Sequence, residues 1–194
     1  RINDYVGDYL HVSDTNFAGA KSNMFVTQEV DQTVTINGDG SITKKLILTY
    51  KNPRKGDNCN LEAGLLCLNG QLRTWQRIYV PKGSVLKSAK GYELDSTTTE
   101  DLGKTVFEGF FILSPESVKK LEVEYTVPSG VVTGKDFNVL IQKQPGTKPI
   151  KTTVTLGSGK PKTYTLNSDQ EIILAKWSLK GSDPLRKSRR KRDV

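Results

Sequence analysis

The chain has 194 residues, 8% aromatics, two cysteines, a single histidine and a net charge of +8. Such a length suits one domain, or two small ones, and is enough to bury a core without staples. The composition excludes a disulfide-dense mini-scaffold, a zinc-finger array and a long coiled coil, and no run approaches the roughly 18 apolar residues that cross a membrane as a helix.

Residues 1–23 are polar and rich in small residues, and read as a lead-in segment with a short helix near Ile2 to Leu10. The chain opens on Arg1 with no signal-peptide pattern behind it, so a fragment or processed product is expected, its targeting region upstream. From Met24 the pattern becomes period-two: Met24, Val26, Val30, Val34 and Ile36 share one parity, and Thr27, Glu29, Asp31, Thr33 and Thr35 the other. That is a strand with one dry and one wet face. Asn37-Gly38-Asp39-Gly40 supplies the positive φ angles of a tight hairpin, and Ile42 to Tyr50 returns with Ile42, Leu46, Leu48 and Tyr50 on one face.

Residues 52–69 form a loop carrying both cysteines. Further strands are predicted at Thr74 to Val80, Ser84 to Leu94, Lys104 to Leu113, Val118 to Val127, Phe137 to Gln142, Ile150 to Leu156, Thr163 to Leu166 and Glu171 to Trp177. Nine or ten short strands between Gly, Pro and Asn turns indicate an all-β fold, an antiparallel sandwich of immunoglobulin-like or jelly-roll-like type. The expected core is Val26, Val30, Val34, Leu46, Leu48, Val80, Val106, Phe110, Leu121, Val123, Tyr125, Val139, Ile141, Ile172 and Leu174. The domain is expected over 24–180, followed by a basic tail over 181–194 with no fold of its own.

Candidate chemistry is sparse. The lone His11 cannot supply two metal ligands, and no Gly-x-Ser-x-Gly elbow exists to pair it with a nucleophile. No catalytic residue, metal or cofactor is expected. Cys59 and Cys67 lie eight positions apart in a turn-rich loop, a spacing that suits a small disulfide ring stabilising the fold by about 2–3 kcal/mol. The other reading is two unrelated thiols, with Cys67 buried beside Leu65, Leu66 and Leu68. A disulfide would place the domain in an oxidising compartment. Asn37-Gly38-Asp39-Gly40 lacks the alternating ligands and distal Glu of a calcium loop, and Gly157-Ser158-Gly159-Lys160 runs into Pro161 where a phosphate-binding helix would have to begin.

The last nine residues hold Arg186, Lys187, Arg189, Arg190, Lys191 and Arg192 against Asp193, a +5 tail that leaves +3 of the total +8 for the body. The tail has three readings: a solvated end, a patch for an anionic partner such as an acidic wall polymer, phospholipid head groups or nucleic acid, or a dibasic cleavage signal. The body has no basic stripe interleaved with aromatics, so sequence-specific nucleic-acid binding is not expected.

The stretch Val12-Ser13-Asp14-Thr15-Asn16-Phe17-Ala18-Gly19-Ala20-Lys21-Ser22-Asn23 resembles a junction of the form ADSNxGGxKSN in bacterial proteins carrying domain of unknown function 4012. Leu48-Thr49-Tyr50-Lys51-Asn52-Pro53, Ile78-Tyr79-Val80-Pro81-Lys82-Gly83-Ser84, residues Leu102 to Phe111, and Leu140 to Thr147 resemble the same C-terminal region, in the same order, over about residues 8–178. The cysteine loop departs from that pattern. The resemblance implies an envelope protein with an N-terminal membrane helix absent from this chain, of which this is the β-rich outer domain, located extracellularly or at the cell surface. It carries no activity and no catalytic residues. If the lead-in joins an upstream domain of the same parent chain, Asp14, Asn16, Lys21 and Asn23 are hydrogen-bonding residues of the interdomain joint.

Two functions are expected from different classes. The first is a non-enzymatic, extracytoplasmic structural or adhesive module presenting loops and the basic tail to an envelope or surface protein. The second is an accessory domain of an enzyme that binds or processes an acidic envelope polymer. A third feature, an isopeptide crosslink between a core Lys and an Asn, would lower the mass by about 17 Da, but no particular Lys stands out in the sequence.

Overall fold

The structure, a computed structural model, describes residues 2–131 and 136–176. The described residues form twelve strands: β1 (Asp8–Asn16), β2 (Thr27–Ile36), β3 (Ile42–Asn52), β4 (Leu72–Val80), β5 (Val85–Lys90), β6 (Thr97–Asp101), β7 (Lys104–Leu113), β8 (Ser117–Val127), β9 (Asp136–Gln142), β10 (Ile150–Leu156), β11 (Lys162–Leu166) and β12 (Gln170–Lys176). Single 3-10 turns at Ser22–Met24 and Leu61–Ala63 are the other regular pieces among these residues. Two six-stranded sheets result, in the orders β12-β9-β1-β4-β7-β6 and β11-β10-β2-β3-β8-β5. Consecutively numbered strands hold matching places in the two orders, so each sheet offers the other one apolar face. The all-β sandwich is therefore as expected, with twelve strands in place of nine or ten and with two parallel pairings, β1 with β9 and β2 with β10.

The hairpin between β2 and β3 shows how local chemistry sets register. The Asn37 N–H donates to the Ser41 carbonyl at 2.8 Å, and the Asp39 carboxylate accepts from both the Ser41 N–H and its hydroxyl. Gly40 takes φ +83°, which a side chain disfavours. Ile36 consequently pairs with Ile42, which turns Val30 and Val34 inward, Val30 opposite Leu48 and, across β3, Leu121. Burying these side chains is worth roughly 1.5–3 kcal/mol each.

Three expectations need correction. The segment before residue 24 is not a helical lead-in: Asp8–Asn16 is a central strand of the first sheet, flanked by β4 and β9. Its outward residues Tyr9 and His11 are buried, and Ile2 and Tyr5 pack with Tyr9, Tyr79 and Val106 on the outer face of that sheet. Strand β6 was missed because Thr97–Asp101 is an exposed polar edge, where pairing with β7 needs no apolar face. In β7 the inward residues are Phe107, Phe111 and Leu113, while Phe110, expected in the core, is only partly buried on the opposite face. Val106 is buried, but in the outer cluster; Val26 and Leu174 are partly buried at the core's margin; the other expected core residues are buried within it. Met24 lies in the 3-10 turn and is 58% exposed. Residues 181–194 lie outside the described residues.

Candidate functional site

One end of the sandwich collects the long connections, residues 17–26, 53–71 and 143–149, because β1, β3 and β9 finish there and β2, β4 and β10 begin. A cleft of about 380 Å³ opens between the sheets at this end, lined among others by Asp14, Tyr50, Gln28, Asn23, Gln144 and Lys148. Its floor is built from inward-facing positions that carry polar side chains in place of apolar ones.

Asp14 is the hub. Its carboxylate accepts from the Tyr50 hydroxyl at 2.7 Å and from Gln76 Nε2 at 3.0 Å. The Tyr50 oxygen accepts in turn from Gln76 Nε2 at 2.6 Å and Gln28 Nε2 at 2.8 Å. The Tyr92 hydroxyl donates to Gln76 Oε1 at 2.5 Å. These groups come from β1, β3, β4, β2 and the β5–β6 connection, so the network crosses both sheets. Past the last β1–β9 backbone pair, Gln144 takes over: its Oε1 accepts the Asp14 N–H at 2.8 Å and its Nε2 donates to the Asp14 carbonyl at 3.0 Å. The Asp14 backbone is thereby held by a side chain that mimics a strand.

Burial raises the Asp14 carboxyl from its ordinary 3.8 to about 6, against the lowering effect of the Tyr50 and Gln76 hydrogen bonds. Burial first, and then the Asp14 charge, push the Tyr50 hydroxyl well above its usual range. Tyr50 therefore stays protonated and donating, and the cleft presents one carboxyl among neutral donors and acceptors, with exposed Lys148 at its rim. A binding site for a polar segment is what such a set can build.

The second feature of this end is the disulfide loop. Cys59 and Cys67 are bonded, which marks an oxidising environment for the domain. The loop is anchored by the fully buried Asn69, whose Nδ2 donates to the Arg54 and Lys55 carbonyls at 2.9 and 3.0 Å and whose Oδ1 accepts from Asn52. The Asp57 carboxylate accepts the backbone N–H groups of Leu68 and Asn69. Beside the disulfide lies a shallower depression lined by residues that include Phe17, Ala20 and Leu66. Phe17 and Leu66 are 67% and 72% exposed.

The sequence-predicted site residues divide accordingly. Asp14, Asn16 and Asn23 come together on the cleft, and Lys21 does not line it. The Asn16 amide caps the turn that follows, accepting from the Ala18 N–H and donating to the Ala20 carbonyl. Arg186, Lys187, Arg189, Arg190, Lys191 and Arg192 lie outside the described residues. His11 is a packing residue: its Nδ1–H donates to the Gln142 carbonyl at 3.0 Å, and burial lowers its pKa. Sequence reasoning missed Tyr50 as a hydrogen-bonding group, and with it Gln28, Gln76 and Gln144. The available signal was a glutamine on the apolar parity of β2 and of β4. Among the described residues no three His, Cys, Asp or Glu side chains converge on a metal position, and no helix is long and apolar enough to cross a membrane.

No protein-family model matches the chain, and no curated protein is similar to it in sequence. It is similar in fold to a Legionella pneumophila protein proposed to bind nutrients, at 8% identity and a TM-score of 0.45, over 87% of this chain and 71% of that one. It is also similar to the M1 zinc metallopeptidase of Deinococcus radiodurans, at 12% identity and a TM-score of 0.32, over 76% of this chain and 38% of that one. The ligands and activities of those proteins are their own.

Proposed function

We propose that the domain is a non-enzymatic, extracytoplasmic binding module, structural or adhesive in role, that takes an envelope or surface protein at its loop-bearing end. The observation that carries this reading is the cleft of about 380 Å³ floored by Asp14 and Tyr50 and pre-set by Gln76, Gln28 and Gln144. A site whose donors are already fixed loses little freedom on binding. The anchored disulfide loop beside it presents exposed Leu66, and the neighbouring 17–26 connection presents exposed Phe17, the kind of apolar contact that protein partners cover. The resemblance to the envelope family supports the same location, and an upstream domain of the parent chain would meet the molecule at Asp14, Asn16 and Asn23.

The +5 tail favours a second reading, an accessory domain that docks an anionic cell-wall polymer for an enzyme elsewhere in the parent protein. Co-sedimentation with isolated bacterial envelopes separates the two. The test compares the full chain, the chain without residues 186–194 and the Gln28→Ala/Gln144→Ala variant, at low and high salt. The first reading expects binding that survives high salt and loss of the tail but falls at least tenfold in the double variant. Binding that needs the tail and vanishes at high salt supports the anionic polymer instead, since surface charges are screened beyond about 8–10 Å. Absence of binding by the full chain under either condition overturns both.

A further inference from the structure

The interior holds a second polar group that plays no part in the cleft. Lys44 of β3 points into the core from the second sheet, and Asp8 of β1 points into it from the first. Both side chains are 0% exposed, and Lys44 Nζ lies 2.5 Å from Asp8 Oδ2. The angles are poor for a hydrogen bond, and among the described residues the pair has no further side-chain partner; the Tyr9 backbone N–H is the one other group that acts on the Asp8 carboxyl. A buried ion pair normally persists because further hydrogen bonds satisfy the remaining lone pairs and protons; this one has few, and Lys44 has none beyond Asp8 among the described residues. The Tyr125 hydroxyl is a third orphan. Tyr125 is the register partner of Lys44 on β8, is fully buried, and lies close enough to Asp8 for that charge to act on it. Val34, on the other side of Lys44, offers only an apolar side chain.

We propose that Asp8 and Lys44 are a modification site at which an intramolecular isopeptide bond forms between the two sheets. The step needs no co-reactant. A proton passes from the Lys44 ammonium to the Asp8 carboxylate, leaving a neutral amine and a carboxylic acid. Lys44 Nζ attacks Asp8 Cγ; the new N–C bond forms, the C–OH bond breaks, and the hydroxyl departs as water with a proton taken from the nitrogen. The buried Tyr125 hydroxyl, on the register partner of Lys44, is the group assigned to relay that proton. Burial already biases both partners toward the reactive neutral forms: it raises the Asp8 carboxyl and lowers the Lys44 ammonium, each against the pull of the other. The product amide carries no charge, so the desolvation that leaves the pair poorly satisfied disappears. The bond would tie β1 to β3, which otherwise meet through packing between the sheets and the Asp14–Tyr50 hydrogen bond at the cleft.

The test is the intact mass of the full chain, denatured and with Cys59–Cys67 reduced, followed by tryptic mapping. The proposal expects a mass one water, about 18 Da, below the sequence value, with the loss on a branched peptide that joins the Asp8 and Lys44 segments and resists cleavage after Lys44. Lys44→Met keeps the apolar stem and should show the full mass. Tyr125→Phe removes only the unpartnered hydroxyl; it should fold and form the bond at least tenfold more slowly. Full mass in the wild-type chain after prolonged incubation overturns the proposal. So does a water loss that maps to a succinimide at Asp39-Gly40 with Lys44 still cleavable.

Discussion

Replacing Asp14 by Asn removes a carboxyl whose protonation is coupled to folding. Its folded pKa is about 6 against an ordinary 3.8, a gap of about 2 units or about 3 kcal/mol. Because the folded value is the higher one, the folded state holds the proton more tightly. The stabilisation is fully present below about pH 3.8 and is lost as pH rises through about 6. One side of Asp14 opens into the cleft, and solvent there reduces the effect to between about 1 and 3 kcal/mol. Urea titrations of wild type and Asp14→Asn at half-unit steps from pH 4 to pH 8 measure it. In the difference between the two proteins, common terms such as the Asp8–Lys44 pair cancel. Wild type should lose about 1–3 kcal/mol relative to the variant between pH 4 and pH 7.5. A difference that stays flat, or grows in favour of wild type as pH rises, would refute the assignment of a desolvated carboxyl to the cleft floor.

Phe111→Ala should destabilise the protein by about 3–5 kcal/mol, because it empties a fully buried site, while Phe110→Ala on the outer face should cost about 1 kcal/mol; chemical denaturation of the two variants checks which parity of β7 faces the core. Gly109→Ala should cost about 1–3 kcal/mol, since a Cβ there would collide with the Tyr92 ring; thermal melting should show a clearly smaller penalty in a Tyr92→Ala background. Reducing the disulfide should cost about 2–3 kcal/mol, with hydrogen exchange rising in residues 53–71 and little changed in β3 and β8.

Local chemistry was enough to read much of the fold. The Asn37 to Gly40 turn, the alternation in β2, β3 and β8 and the cysteine spacing are short-range signals. Each is decided by neighbours within a few residues, so each could be read without knowing the rest of the chain. Strand β1 could not be read this way. Both its faces are covered, so its polar and apolar residues do not alternate, and the partners that make it a central strand lie far off: His11 meets Gln142 across 131 positions. Phe110 failed for a related reason. Val106, Phe107, Phe110 and Phe111 put apolar residues on both parities of β7, and only the apposed sheet shows which parity it covers.

The polar residues of the site follow the same division. Lys44 shares the apolar parity of Ile42, Leu46, Leu48 and Tyr50, but parity alone did not single it out among the lysines. Whether such a lysine snorkels to water or stays in the core depends on what faces it, and Asp8 arrives from the opposite sheet. Asp14 was legible as a polar residue of a special segment. Its depth and raised pKa were not, because Tyr50, Gln76 and Gln144 converge on it from three separate parts of the chain. Period and turn chemistry are properties of adjacent residues and were determined by the sequence alone. Burial and electrostatics are properties of the assembled sandwich, and only the tertiary structure decided them.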